Sequence, residues 1–262
     1  MFERFIGHDV QLRTLQLLAD RADEHPPPLL ICGNEGVGRR PAARLMLDTW
    51  RTADEPLFDL GDRQLVMNDK AGEKEDDRQF PVSSLRRTLA RSATGNRAVL
   101  INLKGAGHEV QNALLKTFEE PPRRTWIVAL APSPAAVLPT LRSRCHRVAF
   151  PDLTITDLKA LASREGWAAD DGTMHRAKGS AERLQWLCDH PSVDQAVSAL
   201  DMAQLATQMY EHPDRRQFVL MVVPAVAQQD PSRLIACQQA MSALHAKARP
   251  ETAFALAALP AT

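Results

Sequence analysis

The residues best placed for chemistry near the start of the chain are Gly33-Asn34-Glu35-Gly36-Val37-Gly38-Arg39-Arg40. They follow a short apolar run, Leu29-Leu30-Ile31-Cys32, and precede a segment with helical periodicity. A G-x-x-x-x-G frame between a strand and a helix is the pattern of a phosphate-binding loop, whose backbone N–H groups and helix N-terminus surround phosphate oxygens. Such a loop needs a lysine after its last glycine for the β and γ phosphates, then Ser or Thr for Mg²⁺. Here those positions are Arg39 and Arg40. A planar guanidinium does not replace a compact ammonium, and Arg40 would repel a divalent cation. The frame of Gly33, Gly36 and Gly38 is kept while its chemistry is lost. A loop that hydrolyses nothing is the leading reading; a passive nucleotide binder and a chance glycine pattern are the alternatives.

Ala98-Val99-Leu100-Ile101 is an apolar run followed by Asn102-Leu103-Lys104. An ATP-hydrolysing site places carboxylates at such a strand end to hold Mg²⁺ and orient water. Neither Asn102 nor Leu103 can act as a base. Two further strings stand out, Gln111-Asn112-Ala113-Leu114-Leu115-Lys116-Thr117-Phe118-Glu119-Glu120-Pro121-Pro122 and Leu138-Pro139-Thr140-Leu141-Arg142-Ser143-Arg144-Cys145. By composition alone they are an amphipathic helix with a proline stop and a basic turn.

The elements that must carry these residues alternate in type. Val10 to Leu18 has helical spacing, with Asp9 as its expected N-cap. Leu29–Cys32, Ala98–Ile101, Trp126–Leu130 and Val148–Phe150 are expected buried strands. Helices are expected over 41–50, 82–92, 110–118 and 135–142. Continuously apolar strands separated by helices predict a parallel sheet covered on both faces. Residues 51–80 show the least pattern, and their charge run, 69–78, predicts a solvated loop. Beyond Pro151 the strand signal ends, and helices are expected over 156–165, 181–189, 193–211, 214–227, 232–248 and 251–259.

The chain has 262 residues, with 32 basic and 32 acidic side chains and no net charge. That balance excludes a strongly basic nucleic-acid coat, an acidic tail and a disordered chain. Aromatics make up 5% of the residues, too few for stacking platforms along single strands. No apolar run approaches the ~18 residues that span a membrane, and no signal-peptide core follows Met1. The four cysteines are far apart in sequence and form no C-x-x-C pair, so free thiols, no zinc and a cytoplasmic location are expected.

Taken together, these strings resemble the AAA+ clamp loaders, and within them the delta-prime subunits of bacterial DNA polymerase III. The likeness is carried by Phe5-Ile6-Gly7-His8, by Asn112-Ala113-Leu114-Leu115-Lys116 with Glu119-Glu120-Pro121-Pro122, by Ser143-Arg144-Cys145, and by Gly179-Ser180-Ala181-Glu182-Arg183. It runs from residue 1 to about 190. The resemblance implies an AAA+ α/β domain over 1–150, a helical lid over 151–190 and a helical collar over 191–262, the last short for the family. It implies a hetero-oligomer with gamma/tau-type and delta-type subunits, acting on a sliding clamp and, indirectly, on primed DNA. Arg144 of the Ser143-Arg144-Cys145 motif would serve as an arginine finger to the ATP held by a neighbouring subunit.

Gly33, Gly36, Gly38, Arg39, Arg40, Asn102 and the sensor-2-like Arg183 would form a vestigial nucleotide site. Ala131 stands where the family carries a polar sensor residue, a third loss beside those of the loop and the strand end. The family's zinc cysteines are absent from 51–80. The expected role is a non-catalytic, stator-like subunit with no catalytic cofactor, a passively held nucleotide being the one exception. The alternatives are a weakly active ATPase using Arg39 and a stand-alone regulatory nucleotide- or DNA-binding AAA+ protein.

Overall fold

The structure, a computed structural model, describes residues 1–61, 63–67, 79–91, 93–246 and 248–258. The 69–78 charge run therefore lies outside the described residues. Two compact units are present, Met1–Pro151 and Asp152–Thr262.

The first unit runs α1 (Asp9–Arg21), β1 (Leu29–Cys32), α2 (Arg39–Trp50), β2 (Leu57–Asp59), β3 (Gln64–Val66), β4 (Gln79–Pro81), α3 (Val82–Leu89), β5 (Arg97–Asn102), α4 (His108–Glu119), β6 (Thr125–Ala131), α5 (Pro139–Arg142) and β7 (His146–Ala149). Five strands form one parallel sheet in the order β2-β5-β6-β1-β7. Alternate residues of each central strand serve opposite faces. Leu30, Val99, Ile101, Ile127 and Ala129 pack with Leu85, Leu114, Phe118 and Leu141. Leu29, Ile31, Ala98, Leu100 and Val128 pack with Leu12, Leu15, Met46 and Leu47. Both faces are covered, which is why the strands read as unbroken apolar runs.

Two differences from expectation in this unit have local causes. Residues 51–80 are not wholly irregular: β2 forms the sheet edge against Ala98–Leu100, and β3 pairs with β4. Three-residue strands are too short to show periodicity and exist only through their partners. Asp9 is not the N-cap of α1. It is the first helical residue, where its charge suits the helix dipole, and the cap is His8 in the left-handed region at φ 60°. His8 Nε2 is bonded to the Val37 carbonyl at 2.8 Å, which ties this turn to the glycine loop.

The second unit is all helical among the described residues: α6 (Ile155–Glu165), α7 (Asp171–Ala177), α8 (Ala181–Asp189), α9 (Pro191–Ser198), α10 (Met202–Glu211), α11 (Arg215–Gln229), α12 (Leu234–His245) and α13 (Pro250–Ala257). The single helix expected over 193–211 is two. Leu200 takes φ 54°, and Asp201 accepts the Gln204 N–H at 2.9 Å to start α10 afresh. The helix α7 carries no sequence expectation. It is started by Asp170, which accepts the Thr173 N–H at 2.6 Å. Two cores form. Leu153, Leu158, Met174 and Leu184 pack together, while Trp186, Phe218, Val222, Leu244 and Phe254 build the larger one.

Candidate functional site

The glycine loop leaves β1 at the C-terminal edge of the sheet, the side on which open α/β sheets bind ligands. Cys32 is in register with Ala131 on one side and Ala149 on the other, and Asn102 with Leu130. Gly33 donates its N–H to the Ala131 carbonyl at 3.1 Å. A Cβ at Gly33 would lie 2.4 Å from the Phe150 carbonyl oxygen, so no side chain fits there. Gly36 and Gly38 both have positive φ, and Gly38, at 92°, caps α2.

The phase of α2 decides where the two arginines go. Its buried residues are Arg39, Ala42, Ala43, Met46, Leu47 and Trp50, the spacing of one helix face. Arg39 falls on that face, only 5% exposed, and its guanidinium donates to the Ala131 carbonyl. Arg40, one position round the helix, turns to the sheet edge. It pairs with Asp59 at 3.0 Å and donates to the Gly61 carbonyl, while Arg44 reaches the other Asp59 oxygen at 3.3 Å.

Asn102 is buried, and its side-chain oxygen accepts the Lys104 N–H at 3.0 Å. Lys104 Nζ in turn meets Glu35 at 2.6 Å, a bridge from the end of β5 to the glycine loop. The structure thus brings Gly33, Gly36, Gly38, Arg39, Asn102 and Ala131 to one edge, while Arg40 bonds to β2 and the turn beyond it. These residues do not fit a metal-bound nucleotide triphosphate. The groups at the phosphate and metal positions are guanidiniums bonded to protein oxygens, and the strand end offers an amide in place of a carboxylate.

Arg183 belongs to the second unit. It lies in the first turn of α8, donates to the Ala177 carbonyl at 3.0 Å, and offers its own N–H to the capping Ser180 hydroxyl at 3.2 Å. Gly179 before it has φ +68°, and a Cβ there would lie 2.5 Å from the Asp152 Cβ.

The Ser143-Arg144-Cys145 motif follows α5 and leads into β7. Ser143 Oγ donates to the Thr140 carbonyl at 3.0 Å. Arg144 Nη1 donates to the same carbonyl at 2.7 Å, and Nη2 to Glu119 Oε1 at 3.0 Å. The Arg144 Nε is buried and has no hydrogen-bond partner. The side chain is 33% exposed and lines an open groove with His25, Glu119, Glu120, Pro121 and Ser143. Cys145 points the other way. Its thiol donates to the Leu141 carbonyl, and burial pushes its pKa up to about 12, so it stays protonated and inert at neutral pH.

Gln111 carries no sequence expectation of a role. It is 2% exposed, donates to the carbonyls of Ala106 at 2.8 Å and Ala136 at 3.1 Å, and accepts the Leu138 N–H at 2.7 Å. It bolts α4 to the segment that carries α5, and so sets Glu119 and Arg144 relative to each other. A polar residue on the apolar face of an amphipathic helix was the one available signal.

Among the described residues no group of three His, Cys, Asp or Glu could hold a metal ion, and no helix is long and apolar enough to cross a membrane. All four cysteines are free thiols.

The strand order and the glycine loop at the C-terminal edge of β1 define an AAA+ type α/β domain. In fold the chain is similar to a variant of RuvB from Thermotoga maritima, with a TM-score of 0.55 at 14% identity over 95% of this chain and 84% of that one. Residues 81–154, which hold both the α4 string and Ser143-Arg144-Cys145, match the family model described as DNA polymerase III, delta subunit. On that segment the chain is similar to clamp-loader subunits of DNA polymerase III. The DNA polymerase III subunit delta' of Yersinia pestis is 52% identical over 46 residues, 17% of this chain and 14% of that protein. Subunit gamma/tau of Mycobacterium tuberculosis strain H37Rv is 39% identical over 79 residues, 28% of this chain and again 14% of the relative. The matches therefore span about a seventh of the length of these curated relatives.

Proposed function

We propose that the chain is a non-catalytic, delta-prime-type subunit of a sliding-clamp loader, and that it lends Arg144 to the ATP held by a neighbouring subunit. The observation that carries this reading is the state of Arg144. Its guanidinium is anchored at the surface of a groove by two protein acceptors, with terminal N–H groups left over for a phosphate oxygen. In trans, such a group stabilises charge on the transferring phosphoryl without taking part in bond making.

The chain's own loop takes no catalytic part in this reading. Arg39 fills its face of the loop, Arg40 is committed to Asp59, and Asn102 supplies no carboxylate, its side-chain oxygen already accepting the Lys104 N–H. The partners on this reading are gamma/tau-type and delta-type subunits, the clamp, and DNA only through the assembly. On this reading residues 151–190 serve as lid and 191–262 as collar, although the larger helical core already takes in Trp186 and Leu187.

The test is clamp-dependent ATP hydrolysis by a loader reconstituted with gamma/tau-type and delta-type subunits, carrying either the natural chain or Arg144→Ala. Removing an arginine finger costs roughly 10³-fold or more at the site it serves. The loss measured across the whole ring is smaller, because other sites keep their own arginines. Arg144→Lys should rescue only in part, since a point charge does not reproduce the fork. Unchanged hydrolysis and clamp loading, with the variant shown to be in the complex, would remove this reading.

A further inference from the structure

We propose that Glu119 is the positioning residue for Arg144, an inference that rests on the reading of Arg144 given above. Glu119 is the last residue of α4, and Glu120 follows at its C-cap. The C-terminal end of a helix carries partial negative charge and free carbonyls, so it favours cations and disfavours carboxylates. Lys116 in the last turn follows that rule, and Glu119 breaks it. The helix gains nothing from a carboxylate there. The carboxylate instead reaches across 25 residues of sequence to Arg144 Nη2 at 3.0 Å.

The Thr140 carbonyl holds the other terminal nitrogen at 2.7 Å. Two acceptors on two different nitrogens fix the plane of the guanidinium. Each terminal nitrogen carries two N–H groups, so one on each stays available, as a bidentate contact to a phosphate requires. Glu119 is 56% exposed and Arg144 33%, so the pair sits where a partner can reach it. An exposed pair of this kind adds little to folding. Its effect is to hold the fork in one orientation before the phosphate arrives, which spares that ordering when the complex reacts.

The experiment is ATP hydrolysis by the reconstituted loader containing Glu119→Ala, Glu119→Gln, Arg144→Ala or the double variant of Glu119→Ala with Arg144→Ala. Glu119→Ala should lower kcat by about tenfold at the site served, less than the ~10²-fold of a full ångström misplacement, and leave KM for ATP unchanged. Glu119→Gln keeps an acceptor oxygen at the same place and should recover most of the rate. In the Arg144→Ala background the Glu119→Ala change should add nothing, because its effect passes through the arginine. A natural or faster rate for Glu119→Ala overturns the inference, as does an equal slowing in the Arg144→Ala background. If Arg144→Ala slows hydrolysis while Glu119→Ala does not, this inference alone falls. If Arg144→Ala has no effect, both readings fall.

Discussion

Arg144 and Glu119 form an ion pair at 3.0 Å that joins the two segments carrying the family resemblance, the end of α4 and the turn after α5. Neither segment shows this by itself. Both residues are partly exposed, so the pair should contribute only ~0.2–1 kcal/mol to folding. Urea unfolding of Arg144→Ala and Glu119→Ala should give midpoints close to the natural chain, and a loss above about 2 kcal/mol would mean that the pair holds the fold.

The isolated chain should turn over no ATP. Arg39→Lys alone should not restore turnover, because Arg40 and Asn102 still stand where a metal ligand and a carboxylate are needed. Steady hydrolysis that purifies with the chain and drops on Arg39→Ala would contradict this.

Gln111 is buried and makes three hydrogen bonds, two of which, to the Ala136 carbonyl and the Leu138 N–H, join α4 to the segment before α5. Gln111→Leu leaves the Leu138 N–H and two carbonyls to find new partners. A loss of roughly 2–4 kcal/mol is expected from these orphaned groups. Equilibrium unfolding measures it, and a change within about 0.5 kcal/mol, the usual size for a surface site, would show that Gln111 is not the bolt.

In the second unit Arg176 holds Asp194 through two bonds of 2.6 Å, fastening α7 to α9. Both side chains are largely buried, and Thr173 donates to the same carboxylate at 2.7 Å. Removing Arg176 strips the buried Asp194 carboxylate of its countercharge, and removing Asp194 leaves the buried Arg176 with only Asp170, 4.0 Å away. Arg176→Ala or Asp194→Ala should therefore cost about 3–5 kcal/mol, and the double replacement by apolar residues much less. Similar losses for the single and double variants would argue against pairing as the cause.

Glu55 gives the first unit a pH dependence. Burial pushes its carboxyl up, but the Thr94 N–H and hydroxyl, the Gly95 N–H and the Arg97 guanidinium outweigh burial and hold it below the ordinary value of 4.5. A depressed carboxyl contributes stability that is complete above its unfolded value and lost as pH falls through the folded one. The stability gap between the natural chain and Glu55→Gln should be constant near neutral pH and close progressively below about pH 4.5. A gap that widens on acidification would reverse the sign.

The sequence by itself determined the parallel α/β domain and the positions of its glycine loop and arginine motif. Continuously apolar strands have no alternative but to be covered on both faces, and glycine at Gly33 leaves a backbone approach that no other residue permits. The short strands β2, β3 and β4 were not legible, because three residues carry no period and their ladders come from distant partners. The break at Leu200 was hidden by apolar periodicity that continues through it. Only the tertiary structure decided what the charged groups do. Helix phase sends Arg39 inward to the Ala131 carbonyl and Arg40 outward to Asp59, and packing through Gln111 brings Glu119 to Arg144. A charge's partner depends on which elements pack together, and local sequence, which sets periodicity and turns, does not specify that.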